Sequence, residues 1–564
     1  MDELATPSRP EIIGTAQTSR TGSPAGDAIA PTSGQYLGPT SSHSFLRRAW
    51  RRFGQDIDLE SRQDASQDDT PVFLAGDRRV PIQNTANVTL PDETRTSELL
   101  ARYFQFAAPT YRFLHQPTVQ RWLKSYRAQE RDPTGEQRLS PIRQAIVLMV
   151  LATASLYAVD SSHTRIDTSV EESWETWQSG ECFHQAAQEK IRDETGRISI
   201  ESVQARLASV LYLLNTSRLN GAWYMFGTTV QLVHALGLHR SRVKMVSQSD
   251  AIVRECRRRC FWSAFTLDVY LSVMLGRPTM IHDDDIDQLH PESVNDDDIT
   301  AEGITTHTIP RDSIMDASVC HAKLARIVKE SCREQYAVQR PREQQQIATA
   351  RRLNGEINQW RDRLPVFLSG AIHPASLIPI FRRQHTVLRL ARAHAIMLLN
   401  RPLILHRNQT QPGKLGSIWR SVVLGNTVER DDAAILQLLA LSVIYVYLIQ
   451  PNNDQSDSHR KSEQGKLYDL AETVQRHLAQ ATQSNAPSLR YSIILEELQQ
   501  ETRRVLAAEE EPIGDNITAT SDTGEGEGPM PWTDLDWETL GGDFSRDVDL
   551  FTHLDSFFSG PEAV

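Results

Sequence analysis

Three groups of residues have the types and spacing that site chemistry needs. His282-Asp283-Asp284-Asp285-Ile286-Asp287 concentrates carboxylates as a calcium loop does. An EF-hand loop opening at Asp283 needs glycine at its sixth position and glutamate at its twelfth, where the chain has Gln288 and Val294. A solvated acidic turn is the better reading. Cys256 and Cys260, four apart, have ligand spacing for zinc in company with a histidine. They also fall on an apolar helical stripe, where free cysteine behaves as a small hydrophobe, and core packing is preferred. Arg254, Arg257, Arg258 and Arg259 would suit phosphates, but Glu255 stands among them and the body around them is neutral, which favours a salt-bridge network.

The familiar catalytic signatures HExxH, GxSxG and GxxxxGK are absent. The glycines of Gly524-Glu525-Gly526-Glu527-Gly528 lie in an acidic stretch with no preceding strand and would repel phosphate. With no convergent nucleophile, base or metal set, the chain is not expected to be an enzyme, and no cofactor is expected.

Chemistry of another kind is concentrated at the C-terminal end. From Glu509 to Val564 there are fifteen acids and one base, Arg546, a charge of −14 against −12 for all 564 residues, so the other 508 sum to +2. Between positions 532 and 558 the aromatics Trp532, Trp537, Phe544, Phe551, Phe557 and Phe558 alternate with Leu535, Leu540, Leu550, Leu554 and seven acids. A purely solvating tail would lack the aromatics. Val548, Phe551, Leu554 and Phe558 form a face able to fold into a partner's groove. Acidic-hydrophobic alternation is the composition of disordered activation segments. Docking of the tail on its own body is the alternative.

The elements that must carry these groups are helical. Val203, Leu207, Val210, Leu211 and Leu214 share one face of a 3.6-residue helix. After Asn220-Gly221 a second helix places Trp223, Phe226, Val230 and Val233 on one stripe and stops at Gly237. Ser247 with Asp250 reads as a capping box for a third, whose stripe runs Val253, Cys256, Cys260, Leu267, Leu271. Further helices are expected at 96–106, 142–158, 171–192, 317–333, 344–363, 381–399, 432–449, 465–481 and 492–507. The chain divides into a disordered Ser/Pro/Thr-rich segment (1–88), an all-α body (89–508, with its motif core at 203–291) and the acidic tail (509–564). Within the first segment, Arg47, Arg48, Arg51 and Arg52 among aromatics make either a nuclear-import cluster or a small docking helix. Neither a signal peptide nor a span long enough for a membrane is evident, and five scattered cysteines form no disulfide framework, as expected of a reducing, intracellular setting.

The stretch from Gly221 to Pro291 resembles the middle homology (regulatory) region of fungal-specific transcription factors, the family that usually carries a six-cysteine zinc cluster. The matching residues are Ala222-Trp223, Gly227, Gly237-Leu238-His239, Glu255-Cys256-Arg257-Arg258-Arg259-Cys260-Phe261-Trp262, Asp268, Gly276-Arg277-Pro278, Asp285-Ile286 and Pro291. Weaker likeness runs from Leu90-Pro91-Asp92 through Tyr111-Arg112-Phe113-Leu114-His115-Gln116-Pro117, and resumes at Leu398-Leu399-Asn400-Arg401-Pro402.

The resemblance implies an all-α regulatory domain in a nuclear transcription regulator, with a metabolic or secondary-metabolite gene cluster as target. The acidic-aromatic tail is expected to recruit coactivators, and the further partners expected are a family member as dimer and a small-molecule effector. No cysteine precedes Cys182, so zinc-cluster binding of DNA is not carried over. Contact with DNA is expected indirectly, or through a zinc cluster missing from this sequence. The alternative is an interaction-only or dominant-negative partner of a complete family member. On this reading Trp223 and Trp262 are core anchors, and Arg277 bonds Asp285 or Asp287 across the turn that ends the third helix.

Overall fold

A computed structural model describes residues 36–41, 44, 45 and 48, then 88–404 apart from 133–137, 158–169, 217, 242–249, 306–311 and 340, with isolated positions between 445 and 503. Among the described residues the regular structure is helical and no β-strand forms. In chain order the helices are α1 (Glu93–Arg102), α2 (Gln116–Arg131), α3 (Pro141–Ser155), α4 (Val170–Arg192), α5 (Ile200–Asn215) and α6 (Leu219–Ala235). They continue with α7 (Ala251–Leu275), α8 (Asp316–Gln335), α9 (Glu343–Asp362), the single turn α10 (Val366–Ser369) and α11 (Pro379–Ile404). The all-α expectation holds. Of the helices expected at 432–449, 465–481 and 492–507 only isolated positions are described, and the acidic tail lies outside the described residues.

Local chemistry explains the boundaries. Asp92 caps α1 by accepting the Arg95 N–H at 2.9 Å, and a π-helical turn, Tyr103–Ala107, follows directly. Asp250 caps α7 by accepting the Ile252 N–H at 2.7 Å. Ser247, its partner in the expected capping box, is outside the described residues. Gly237 and Gly276 follow α6 and α7 with φ of +60° and +66°, left-handed values that glycine adopts without Cβ strain. α2 is absent from the helices expected above: its apolar face is narrow, with only Val119, Leu123 and Tyr126 buried.

α3 is the centre of the first half. Every residue from Gln144 to Ser155 is buried, because α1, α2, α4 and α5 pack around it. A helix enclosed on all sides loses the one-sided apolar stripe. α8, α9 and α11 form the second half. α7 joins the two, touching α5 and α6 on one side and α8 on the other. The apolar core is continuous from Leu90 to Leu399. Cys256 and Cys260 are buried, as the packing reading required, whereas Val253 of the same expected stripe is exposed. The correction is geometric: at α7's first turn that direction opens onto a cleft shared with α2, α3 and α5. No helix among the described residues is long and apolar enough to cross a membrane.

Candidate functional site

The motif residues converge on α7 and on the loop that folds back along it. Arg259 is 1% exposed. Its Nε donates to Glu255 Oε1, one turn earlier, at 3.2 Å, and its Nη1 donates to Asp296 Oδ1 at 2.5 Å. The second carboxylate oxygen of Asp296 accepts the Gln116 N–H at 2.8 Å, and the Asp296 carbonyl lies 3.0 Å from His115 Nε2. Nearby, Arg258 Nη1 donates to Glu292 Oε1 at 2.5 Å, and the Glu292 N–H donates to Glu255 Oε1 at 3.1 Å.

One buried network therefore ties α7, the loop after it and the start of α2. Burial pushes the Asp296 carboxyl upward, but the Arg259 and Arg112 guanidinium groups outweigh it and hold the group below the usual carboxylate range. For Glu255 burial prevails and its carboxyl stands above that range. Arg259 thus faces carboxylates inside the fold and Arg258 reaches the exposed Glu292 at its surface, while Arg257 Nη2 donates to the Leu236 carbonyl at 2.8 Å.

Further along α7, Trp262 is buried; its Nε1 donates to the Leu289 carbonyl at 2.8 Å, and its ring stacks on His290 at 4.0 Å. Arg326 of α8 covers the indole from 4.9 Å. Asp268, fully buried, accepts the N–H groups of Met280 at 2.9 and 3.0 Å and of Ile281 at 2.9 Å. It thereby shapes the chain after Gly276-Arg277-Pro278. Burial raises its pKa to about 6 despite these bonds.

A carboxyl whose folded pKa lies above its ordinary value adds most stability when protonated, and that contribution fades as pH rises through about 6. Asp268→Ala is expected to lower stability by about 1–3 kcal/mol, because buried N–H groups lose their acceptor. The difference from the parent should widen as pH falls from about 6 toward about 4, which urea titrations at several pH values would register.

Arg277 is a correction. Its guanidinium lies 5.3 Å from the Trp223 ring, Nη2 donates to Asn220 Oδ1 at 3.1 Å and Nε to the Tyr36 carbonyl at 3.4 Å. The left-handed Gly276 turns the chain back toward α6, away from the acidic run. There Asp287 pairs with Arg240 Nε at 3.3 Å and accepts the Ser241 N–H at 2.7 Å. Trp223 is half-buried beneath Arg277 and packs against the edge of the core without being enclosed in it. Asp285 is exposed in a 3₁₀ turn. Leu238 is buried, and the His239 carbonyl accepts the N–H groups of Asp287 and Gln288 at 3.2 and 3.1 Å. At Gly227 an added Cβ would meet nothing within 4 Å among the described residues. Of the basic cluster, Arg48 is described and Arg47, Arg51 and Arg52 are not.

Two features escaped the sequence. Glu181 of α4, 1% exposed, pairs with Arg218 at 3.2 and 2.5 Å and accepts the Tyr212 hydroxyl at 3.1 Å, with His184 stacked on Tyr212. A buried glutamate on a helix rich in charged residues leaves no periodic signal. The second is an open cleft of about 470 Å³ between α2, α3, α5 and the start of α7. Trp122, Arg143, Glu201 and His115 are among its lining, with Cys256 at its edge. Arg143 bonds Glu201 at 2.7 Å while lying 5.4 Å from the Trp122 ring. The cleft thus combines an aromatic wall with paired charges.

Residues 100–362 match the fungal specific transcription factor domain. The chain is 26% identical over 337 residues to "Activator of stress genes 1" of Saccharomyces cerevisiae, covering 58% of this chain and 33% of that protein. It is 22% identical over 338 residues to "Transcriptional activator protein acu-15" of Neurospora crassa, covering 59% and 33%. It is 24% identical over 382 residues to "Thiamine repressible genes regulatory protein thi1" of Schizosaccharomyces pombe, covering 66% and 45%. The matched part is therefore between a third and a half of each relative's length.

Proposed function

We propose, from the premise that residues 100–362 belong to the fungal specific transcription factor domain family, that this chain is a nuclear transcription regulator acting positively on a metabolic or secondary-metabolite gene cluster. Two of the relatives named above are called activators, and the family's members are regulators rather than enzymes. The observation that carries the reading is the internal pairing of the motif's ionisable groups. Glu255, Arg258 and Arg259 hold one another, Glu292 and Asp296, which makes this region a scaffold. Such a scaffold presents binding surfaces; the cleft beside Trp122 is the candidate seat of a small effector.

On this reading the acidic-aromatic tail recruits coactivators, and DNA is reached through a partner or a zinc cluster outside these residues. Residues 509–564 fused to an unrelated DNA-binding module should raise reporter transcription well above the unfused module. Alanine at Trp537, Phe551 and Phe558 together should abolish the rise, because the aromatics supply the contact area. Reporter output no greater than that of the unfused module would remove the activator reading. Deleting 509–564 from the full chain separates it from the interaction-only alternative, which would keep its effect in the cell.

A further inference from the structure

Residues 36–41 with Ser44, Phe45 and Arg48, the described part of a strap spanning 36–48, lie against two stretches that are remote from them and from each other in sequence: the last turn of α7 and the last turn of α11. The Gly38 N–H donates to the Leu275 carbonyl at 3.1 Å and Thr40 Oγ1 to the Val273 carbonyl at 3.1 Å. The strap thus donates to two carbonyls at the end of α7; that of Val273 also accepts the Gly276 N–H at 3.3 Å. The backbones touch: a Cβ on Gly38 would lie 1.9 Å from the Gly276 carbonyl oxygen, and one on Gly276 would lie 2.4 Å from the Gly38 backbone. Leu37 packs on Leu219 and Leu275. Phe45, 1% exposed, sits 5.1 Å from the Arg401 guanidinium of α11, whose Nη1 donates to the Thr40 carbonyl at 3.5 Å.

The strap also holds its own shape. Ser41 Oγ donates to the Gly38 carbonyl at 2.7 Å, Ser44 Oγ to the Leu37 carbonyl at 2.9 Å, and Arg48 Nη2 to the Pro39 carbonyl at 2.7 Å. Of the basic-aromatic cluster read as an import signal or a small docking helix, Phe45 and Arg48 are described and belong to this strap. A preformed turn binds with less loss of conformational freedom. Against it stands the state of Arg401: only 2% exposed, with Nε and Nη2 lacking a hydrogen-bond partner among the described residues. Burying unsatisfied donors opposes closure, so the docked strap is held by Leu37, Phe45 and the glycine contact against a standing penalty.

We propose that the ends of α7 and α11 form a peptide seat and that residues 36–48 are its resident ligand, docked in exchange with a released state. The seat selects a leucine followed by a glycine, because only glycine permits the backbone approach to Gly276, and an aromatic side chain seven positions beyond that glycine to cover Arg401. Gly276-Arg277-Pro278 and Asn400-Arg401-Pro402, two motifs with no evident chemistry of their own, acquire a shared role as its two walls.

The test uses the full chain carrying Gly38→Val, with Phe45→Ala as a second variant and Gly355→Ala, where an added Cβ meets nothing within 4 Å, as the control. Amide hydrogen exchange in 36–48 should accelerate roughly tenfold or more in both variants, while α3 and α7 keep their protection. A labelled peptide with the sequence of residues 34–49 should bind Gly38→Val and not the parent, whose seat is filled. Unchanged exchange in the strap overturns the proposal. So does loss of α7 protection together with the strap, which would make the segment part of the cooperative core, and so does failure of the peptide to bind the variant.

Discussion

Asp296→Ala should destabilise the helical body by about 3–5 kcal/mol, the range for removing one partner of a buried ion pair. Arg259 cannot follow by losing its proton, since guanidinium stays charged, and it cannot reach water, being 1% exposed. Among the described residues its Nη2 already lacks a partner, and the substitution would leave Glu255 as the one carboxylate paired with it there. The same change removes the acceptor of the Gln116 N–H and loosens the start of α2. The midpoint of urea unfolding measures the effect. Asp285→Ala, at an exposed position with no such network, should change the unfolding free energy by less than about 0.5 kcal/mol. Replacing Arg259, Glu255 and Asp296 together with apolar residues of similar volume should recover much of the loss, because the charges are then absent rather than unpaired. An Asp296→Ala midpoint equal to the parent's would show that the network carries no stability.

Glu181→Gln is the second large effect, and its signature is pH dependence. Burial would raise the Glu181 pKa, but the His184 ring and the Arg218 guanidinium outweigh it and bring it down to about 2, from an ordinary 4.5. A carboxyl held below its ordinary value stabilises the fold fully above that value and loses its contribution as pH falls through the folded pKa. Near neutral pH the shift corresponds to about 3 kcal/mol. Glutamine keeps the volume but turns an amide donor toward Arg218 or the Tyr212 hydroxyl, both of which donate to Glu181. The variant should therefore lose about 3 kcal/mol at pH 7, and the gap should narrow as pH falls from about 4.5 toward about 2. A gap that stays constant across that window would mean that the loss arises from packing and not from the charge.

Much of the body is legible from pattern. The helices of α5, α6 and α7 announce themselves by apolar spacing, and Gly237 and Gly276 mark two of their ends, because periodicity and left-handed termini are local properties. α2 was invisible for the same reason: three buried residues in sixteen make a weak stripe. The burial of Val253 was misjudged because a stripe gives the direction of a face without saying where along the helix its neighbours begin.

The sequence alone determined the all-helical class, the family likeness between Gly221 and Pro291, the cysteine pair as core and the separation of a neutral body from an acidic end. Each follows from composition or from intervals of a few residues. Tertiary structure alone decided which charges meet: Arg259 with Asp296, Glu181 with Arg218, Arg277 with Trp223 and Asn220 instead of the acidic run, and the strap with two helix ends. Ion pairs and backbone contacts depend on separations of a few ångströms between residues tens to hundreds of positions apart, and those separations exist only once the core has packed.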